Sequence, residues 1–266
     1  MLRDAMADAA GLFLGTLVLR PYVFGFLVLY LVAAASEWGW RGALAFTALG
    51  SGMAFAAEFA STRVGVPFGL YHYTGVTRGR EAYLGNVPLF DPLSFAFLAY
   101  ASLGLARLIV RRVGGEPPRW GRVAMTAGLL MTWLDAVIDP LAVRGDRWFL
   151  GRIFYYPAPG FYFGVPLANF VGWAVLGSAI AAVWLGLERQ LGGAPPRWTA
   201  RLPGRPVYPV LLYYLVLAFN LALTAAVAEP GLFWAGVALH LPLAAVVVSS
   251  VTSRASSPSA GTERAA

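Results

Sequence analysis

The chain has no cysteine in its 266 residues, which excludes disulfide bridges, thiolate metal sites and cysteine nucleophiles. It has no lysine either: all 20 basic residues are arginine. Charged residues of both signs make up only 12% of the chain, against about 25% in a typical soluble domain. The two histidines, His72 and His240, stand far apart, and no HExxH-like spacing occurs, so no metal site is expected. The net charge of +7 does not point to nucleic acid. The arginines fall in short connections between apolar runs, where membrane proteins carry their topology signals.

What is abundant is apolar sequence: 59% of residues are hydrophobic, and the mean hydropathy is +0.65. A membrane helix needs roughly 20 mostly apolar residues. Seven segments qualify, at about 15–36, 42–60, 91–110, 122–143, 164–187, 208–228 and 231–251. The expected fold is all-α, a polytopic transmembrane bundle of about seven helices, with six to eight possible. A single membrane domain is expected over 1–253, followed by a Ser-, Pro-, Gly- and Ala-rich tail, 254–266, expected to be disordered. Arg20-Pro21 interrupts the first segment, so six helices plus an interfacial N-terminal turn is the alternative.

Arginine counting predicts an orientation. The N-terminal side carries eight arginines and the opposite side twelve, which places the C-terminus in the cytoplasm of a bacterial inner membrane.

Ionisable residues within apolar helices are costly and mark function by default. Glu58 lies near the end of the second segment and Asp91 near the start of the third. Asp135 and Asp139 lie in the last half of the fourth. Because successive segments alternate in direction, all four acids converge on one side of the membrane. The two long aromatic connections, 61–90 and 144–163, lie on that side as well. Asp135 and Asp139 are four apart and share a helix face with Gly128 and Thr132. Thr47, Ser51, Ala54 and Glu58 form a similar stripe. Two such stripes facing each other would enclose a polar pocket. Their small and hydroxyl residues also favour close helix packing, which is the reading preferred for Thr47, Ser51 and Thr132.

Asn169 falls on the acid side and is a candidate pocket residue, whereas Asn220 and His240 read as cross-helix hydrogen bonds. In Gly65-Val66-Pro67-Phe68-Gly69-Leu70-Tyr71-His72-Tyr73, two glycines and a proline set a turn. Tyr71 and Tyr73 then share a side if the chain is extended. That run reads either as an interfacial aromatic belt or as a lid over the pocket.

Four runs carry a resemblance: Pro67 to Tyr73; Asn86-Val87-Pro88-Leu89 with Pro92-Leu93-Ser94-Phe95; Leu134-Asp135-Ala136-Val137-Ile138-Asp139-Pro140; and Tyr162 to Trp173. Together, over about residues 58–175, the chain resembles the membrane-bound carotenoid biosynthesis proteins that include the CruF-type carotenoid hydratases. Asp91 and Phe95 depart from the apolar residue and the tryptophan of that pattern. The resemblance implies a hydro-lyase that adds water across the terminal double bond of an acyclic carotenoid end group and makes a tertiary alcohol. The substrate would be like lycopene, γ-carotene or a C50 relative, held in the lipid bilayer, and no redox cofactor is required.

Such a reaction needs a proton donor, stabilisation of a tertiary carbocation, and a positioned water. A carboxyl in an apolar site keeps its proton, so Glu58 or Asp135 is the candidate donor. Asp139, nearer the interface, is the candidate for orienting and deprotonating the water. Aromatic faces from Tyr71, Tyr73, Trp133 and Trp173 would stabilise the cation. Competing readings are a carotenoid-binding scaffold, a transporter, or an intramembrane prenyltransferase. The last would need more than the single Asp135-x-x-x-Asp139 spacing. Association with a pathway enzyme, such as a carotenoid glycosyltransferase acting on the new hydroxyl, is left open.

Overall fold

Proline and glycine punctuate the first third of the chain and set its topology. The computed structural model describes residues 2–114, 119–202 and 207–255. Helix α1 (Leu2–Leu19) ends at Arg20, whose backbone is non-helical, and α2 (Pro21–Val64) starts with Pro21 in its first turn. Proline suits that position, since its fixed φ is helical and its missing N–H would have no partner there. The break expected inside the first membrane segment is therefore a joint between two helices, and the crossing begins at Pro21 rather than at 15.

Helix α2 is itself interrupted at Gly39, with φ 69 and ψ 170. The Tyr30 hydroxyl donates to the Ala43 carbonyl at 3.0 Å, although the two are 13 residues apart. Along a straight helix that separation would be about 20 Å. The arms 21–38 and 40–64 thus fold back on each other as an antiparallel pair, each within the roughly 17–25 residues of a membrane span. Gly65, in the left-handed region at φ 74, ends the second arm, and its N–H bonds the Ser61 carbonyl.

The remaining helices are α3 (Phe90–Gly114), α4 (Trp120–Ala142), α5 (Leu167–Leu191), α6 (Tyr208–Ala226) and α7 (Pro230–Ala255). Six helices are long and apolar enough to cross a membrane. Because α2 reverses, the described residues hold seven apolar helical arms of membrane-spanning length. Helix α7 runs to Ala255, and the rest of the expected tail lies outside the described residues.

The two polar stripes do not face each other. Gly50 on α2 packs against Ala96 of α3, so α3 lies beside that stripe. Gly128 on α4 packs against Ala174 and Ser178 of α5, and Thr132 bonds Gly128 and Phe170 carbonyls. These small residues form packing seams, and only the acidic ends of the stripes approach one another.

The two aromatic connections make one cap over the acid end of the bundle. Strand β1 (His72–Tyr73) pairs antiparallel with β4 (Phe154–Tyr155), His72 opposite Tyr155 and Tyr73 opposite Phe154. Strands β2 (Tyr83–Leu84) and β3 (Val87–Pro88) form a small hairpin. Helix α1 lies against the same cap, where the Ala82 N–H bonds the Thr16 hydroxyl at 2.8 Å. At the opposite end, the Gly193 N–H bonds the Trp38 carbonyl beside the Gly39 reversal. There Arg107 bridges Glu37 and Glu188.

Candidate active site

Beneath the cap the helices leave a largely apolar cavity. Half of its lining residues are aromatic. Tyr22 stacks on Phe219 at 5.2 Å, and Phe26 meets Phe219 and Phe97 edge-on or tilted at 5.5 and 5.6 Å. Phe95 stacks on Trp173 at 4.4 Å and 16°. Tyr71 sits against Phe154 and Tyr156.

Few polar groups enter this cavity, and they cluster at its cap end. Glu58, at the end of α2, is 2% exposed. Asp91, in the first turn of α3, lies opposite it. The Tyr73 hydroxyl joins them, 2.5 Å from Asp91 Oδ2 and 3.1 Å from Glu58 Oε2. Tyr71 lies 3.5 Å away, hydroxyl to hydroxyl. Burial, reinforced by Asp91 and Glu58, holds the Tyr73 phenol well above its ordinary range, so it stays a donor. Burial does the same for Tyr71 and, with Asp139 and Asp135 nearby, for Tyr156.

A phenol carries one proton and cannot donate to two carboxylates at once. Both Tyr73 contacts are hydrogen bonds only when one carboxyl carries a proton of its own.

A second polar pair lines the same cavity. Asp139 lines it together with Asn169, and Asn169 Nδ2 donates to Asp135 Oδ2 at 2.7 Å. Asp135 itself is fully buried behind this wall, and its Oδ1 has no hydrogen-bond partner among the described residues. Three arginines at the same end of the bundle, Arg63, Arg144 and Arg147, are engaged elsewhere. Arg63 bonds Asn86, Arg144 bonds the Pro140 and Phe163 carbonyls, and Arg144 and Arg147 both pair with Glu229.

The structure therefore brings together Glu58, Asp139, Tyr71, Tyr73, Asn169 and Trp173, and sets Asp135 just behind them. It does not bring Trp133 there. That ring is 39% exposed, and its N–H donates to the Leu239 carbonyl of α7 at 3.0 Å. Asp91, Tyr156 and Asn220 line the cavity without having been assigned a place in it from sequence. Asp91 carried a signal, since it lies in the same membrane layer as the other acids. Asn220 bonds the Val216 carbonyl of its own helix rather than another helix, whereas His240 does cross, meeting the Trp133 carbonyl at 3.0 Å. Among the described residues, no three histidine, aspartate or glutamate side chains are grouped to hold a metal ion.

Comparison with known proteins bears on what such a chamber does. The family described as carotenoid biosynthesis protein matches residues 16–247. The bisanhydrobacterioruberin hydratase of Haloarcula japonica is 31% identical over 201 residues, which is 71% of this chain and 64% of that protein. The match thus spans a little under two thirds of that relative's length. No solved structure matches.

Proposed function

The chain belongs to the carotenoid biosynthesis protein family, and from that membership we propose that it hydrates the terminal double bond of an acyclic carotenoid end group. The observation that carries this reading is the aromatic cavity with carboxyls gathered at one end. The hydratase relative supports the choice of reaction. The end group enters the cavity, and the rest of the polyene stays in lipid.

The reaction divides into two steps. The Glu58 carboxyl gives its proton to the less substituted alkene carbon, and a tertiary cation forms on the neighbouring carbon. The ring faces of Tyr71, Trp173 and Phe95 stabilise that charge. Asp139 and Asn169 hold a water against the cation, the water oxygen bonds to it, and loss of one proton from that oxygen leaves the tertiary alcohol. Proton transfer by a positioned group contributes typically about 10²–10⁴-fold. The remainder of the barrier falls to fixed dipoles and rings around the cation. The substrate is a lycopene-, γ-carotene- or C50-type chain. The excess of arginine at the Gly39 end supports a cytoplasmic C-terminus, with the site toward the opposite face.

Expression in hosts that make lycopene, or an acyclic C50 carotenoid, tests the reading. The expected product is heavier by one water and carries a tertiary hydroxyl. Pigment that copurifies unchanged from every host would replace hydration with binding, and a product longer by an isoprenoid unit would replace it with prenyl transfer.

A further inference from the structure

Hydration consumes a proton from one group and releases one from another, so the donor must be recharged before each turnover. Glu58 is nearly sealed, and Tyr73 is its one hydrogen-bond partner among the described residues. Tyr73 in turn touches Asp91, which is less buried than Glu58 and lines the same cavity. The two contacts are unequal, 2.5 Å to Asp91 and 3.1 Å to Glu58. A short O–H···O contact of about 2.5–2.7 Å is the mark of a hydroxyl donating to an ionised carboxylate. The tyrosine proton therefore points at Asp91, and the additional proton of the trio sits on Glu58.

Resting on the hydration reading, we propose that Glu58, Tyr73 and Asp91 form a closed proton relay that returns the proton released by the added water to the donor. The atoms balance through the cycle. Glu58 protonates the alkene and becomes a carboxylate. The water oxygen, once bonded to the cation, gives its excess proton to the Asp91 carboxylate. Asp91 passes that proton to the Tyr73 oxygen as the Tyr73 hydroxyl proton moves to Glu58. The trio is back in its starting state, and the net reaction is alkene plus water giving alcohol. No proton has to be drawn from outside the cavity, and the donor's one polar link is the one used.

The test separates the first turnover from later ones. Purified protein in lipid nanodiscs is given lycopene, or the C50 carotenoid if that is what the wild type hydrates. Conversion is followed with enzyme in excess and again with substrate in excess. Tyr73→Phe keeps the ring that packs on Tyr71 and Phe154 but removes the relay. Its single-turnover rate should stay within about threefold of wild type, because Glu58 begins protonated. Its steady-state kcat should fall by about 100-fold, the lower end of the usual acid–base contribution. Asp91→Asn removes the carboxylate that takes up the water's proton, so it should lower both rates, and where Tyr73→Phe is not monodisperse in detergent the relay requires that its steady-state loss exceed its single-turnover loss by at least about tenfold. Equal loss in both regimes would mean that Tyr73 only positions the site, and no loss in either would mean that Glu58 recharges without it; each result overturns the relay. A wild type that hydrates neither carotenoid overturns the hydration reading, and the relay with it.

Discussion

Arg20 grips Glu81 with both ends of its guanidinium, Nε to Oε2 at 3.0 Å and Nη2 to Oε1 at 2.9 Å, and the two side chains are 1% and 0% exposed. The third nitrogen donates to the Leu150 carbonyl at 2.9 Å, and the Thr77 hydroxyl also bonds Glu81. One ion pair thus ties the α1–α2 joint to both aromatic connections, directly above the cavity.

Removing one partner of a buried pair strands the other charge, which costs about 3–5 kcal/mol. Arg20→Met should therefore lower the thermal midpoint in detergent sharply, while Arg20→Met combined with Glu81→Leu should recover much of the loss. Tryptophan fluorescence during heating reads both. A single variant as stable as wild type would mean that the cap is held by other contacts.

Asn169 matters through Asp135 as well as through the cavity. Its amide is the partner of Asp135 Oδ2, and Oδ1 has none among the described residues. Asn169→Ala leaves a fully buried carboxyl without that bond, at a cost of about 1–3 kcal/mol. Carotenoid hydration should fall at least tenfold, because the water site loses a donor as the wall behind it loosens. Product formation per mole of folded protein, with the folded fraction set by size exclusion, separates the two effects. Wild-type turnover by this variant would remove Asn169 from the site.

The helices were legible because bilayer thickness imposes a length on apolar segments that no soluble fold shares. The convergence of Glu58, Asp91, Asp135 and Asp139 was legible too, since alternating crossings put them in one layer. Helical phase also held an answer about Trp133. Two residues along a helix is a turn of about 200°, so Trp133 and Asp135 face opposite ways, while Asp139 at four residues faces with Asp135. The hydrogen bonding of Tyr73 to Glu58 and Asp91 was not legible. It depends on β1 pairing with β4, a meeting of segments some 80 residues apart that no local pattern encodes.

Gly39 is required by backbone as much as by space. Its φ of 69 and ψ of 170 lie in a region that is nearly glycine-only, at about 1–3 kcal/mol for other residues. A Cβ there would also stand 2.7 Å from the Ala194 carbonyl oxygen and 2.9 Å from the Gly193 carbonyl. Gly39→Ala should lower the thermal midpoint, and Gly25→Ala, where a Cβ meets open space, should not. Equal stability of the two variants would argue that the chain does not reverse tightly at Gly39.

The placement of the acids and of Trp133 gives the sharpest activity prediction. Glu58→Gln keeps the shape of the side chain but removes the donated proton, so hydration should fall about 10²–10⁴-fold. Asp139→Asn should also reduce it, with a smaller effect because an amide still holds water by hydrogen bonds. Trp133→Phe should leave turnover within about twofold, because the ring lies on the α7 side of α4 and its N–H bond to Leu239 serves packing. Pigment extracts from one expressing host measure all three variants side by side. If Trp133→Phe abolishes the product while Glu58→Gln retains it, the cation is stabilised outside this cavity, and the chemistry does not occur where the carboxyls meet.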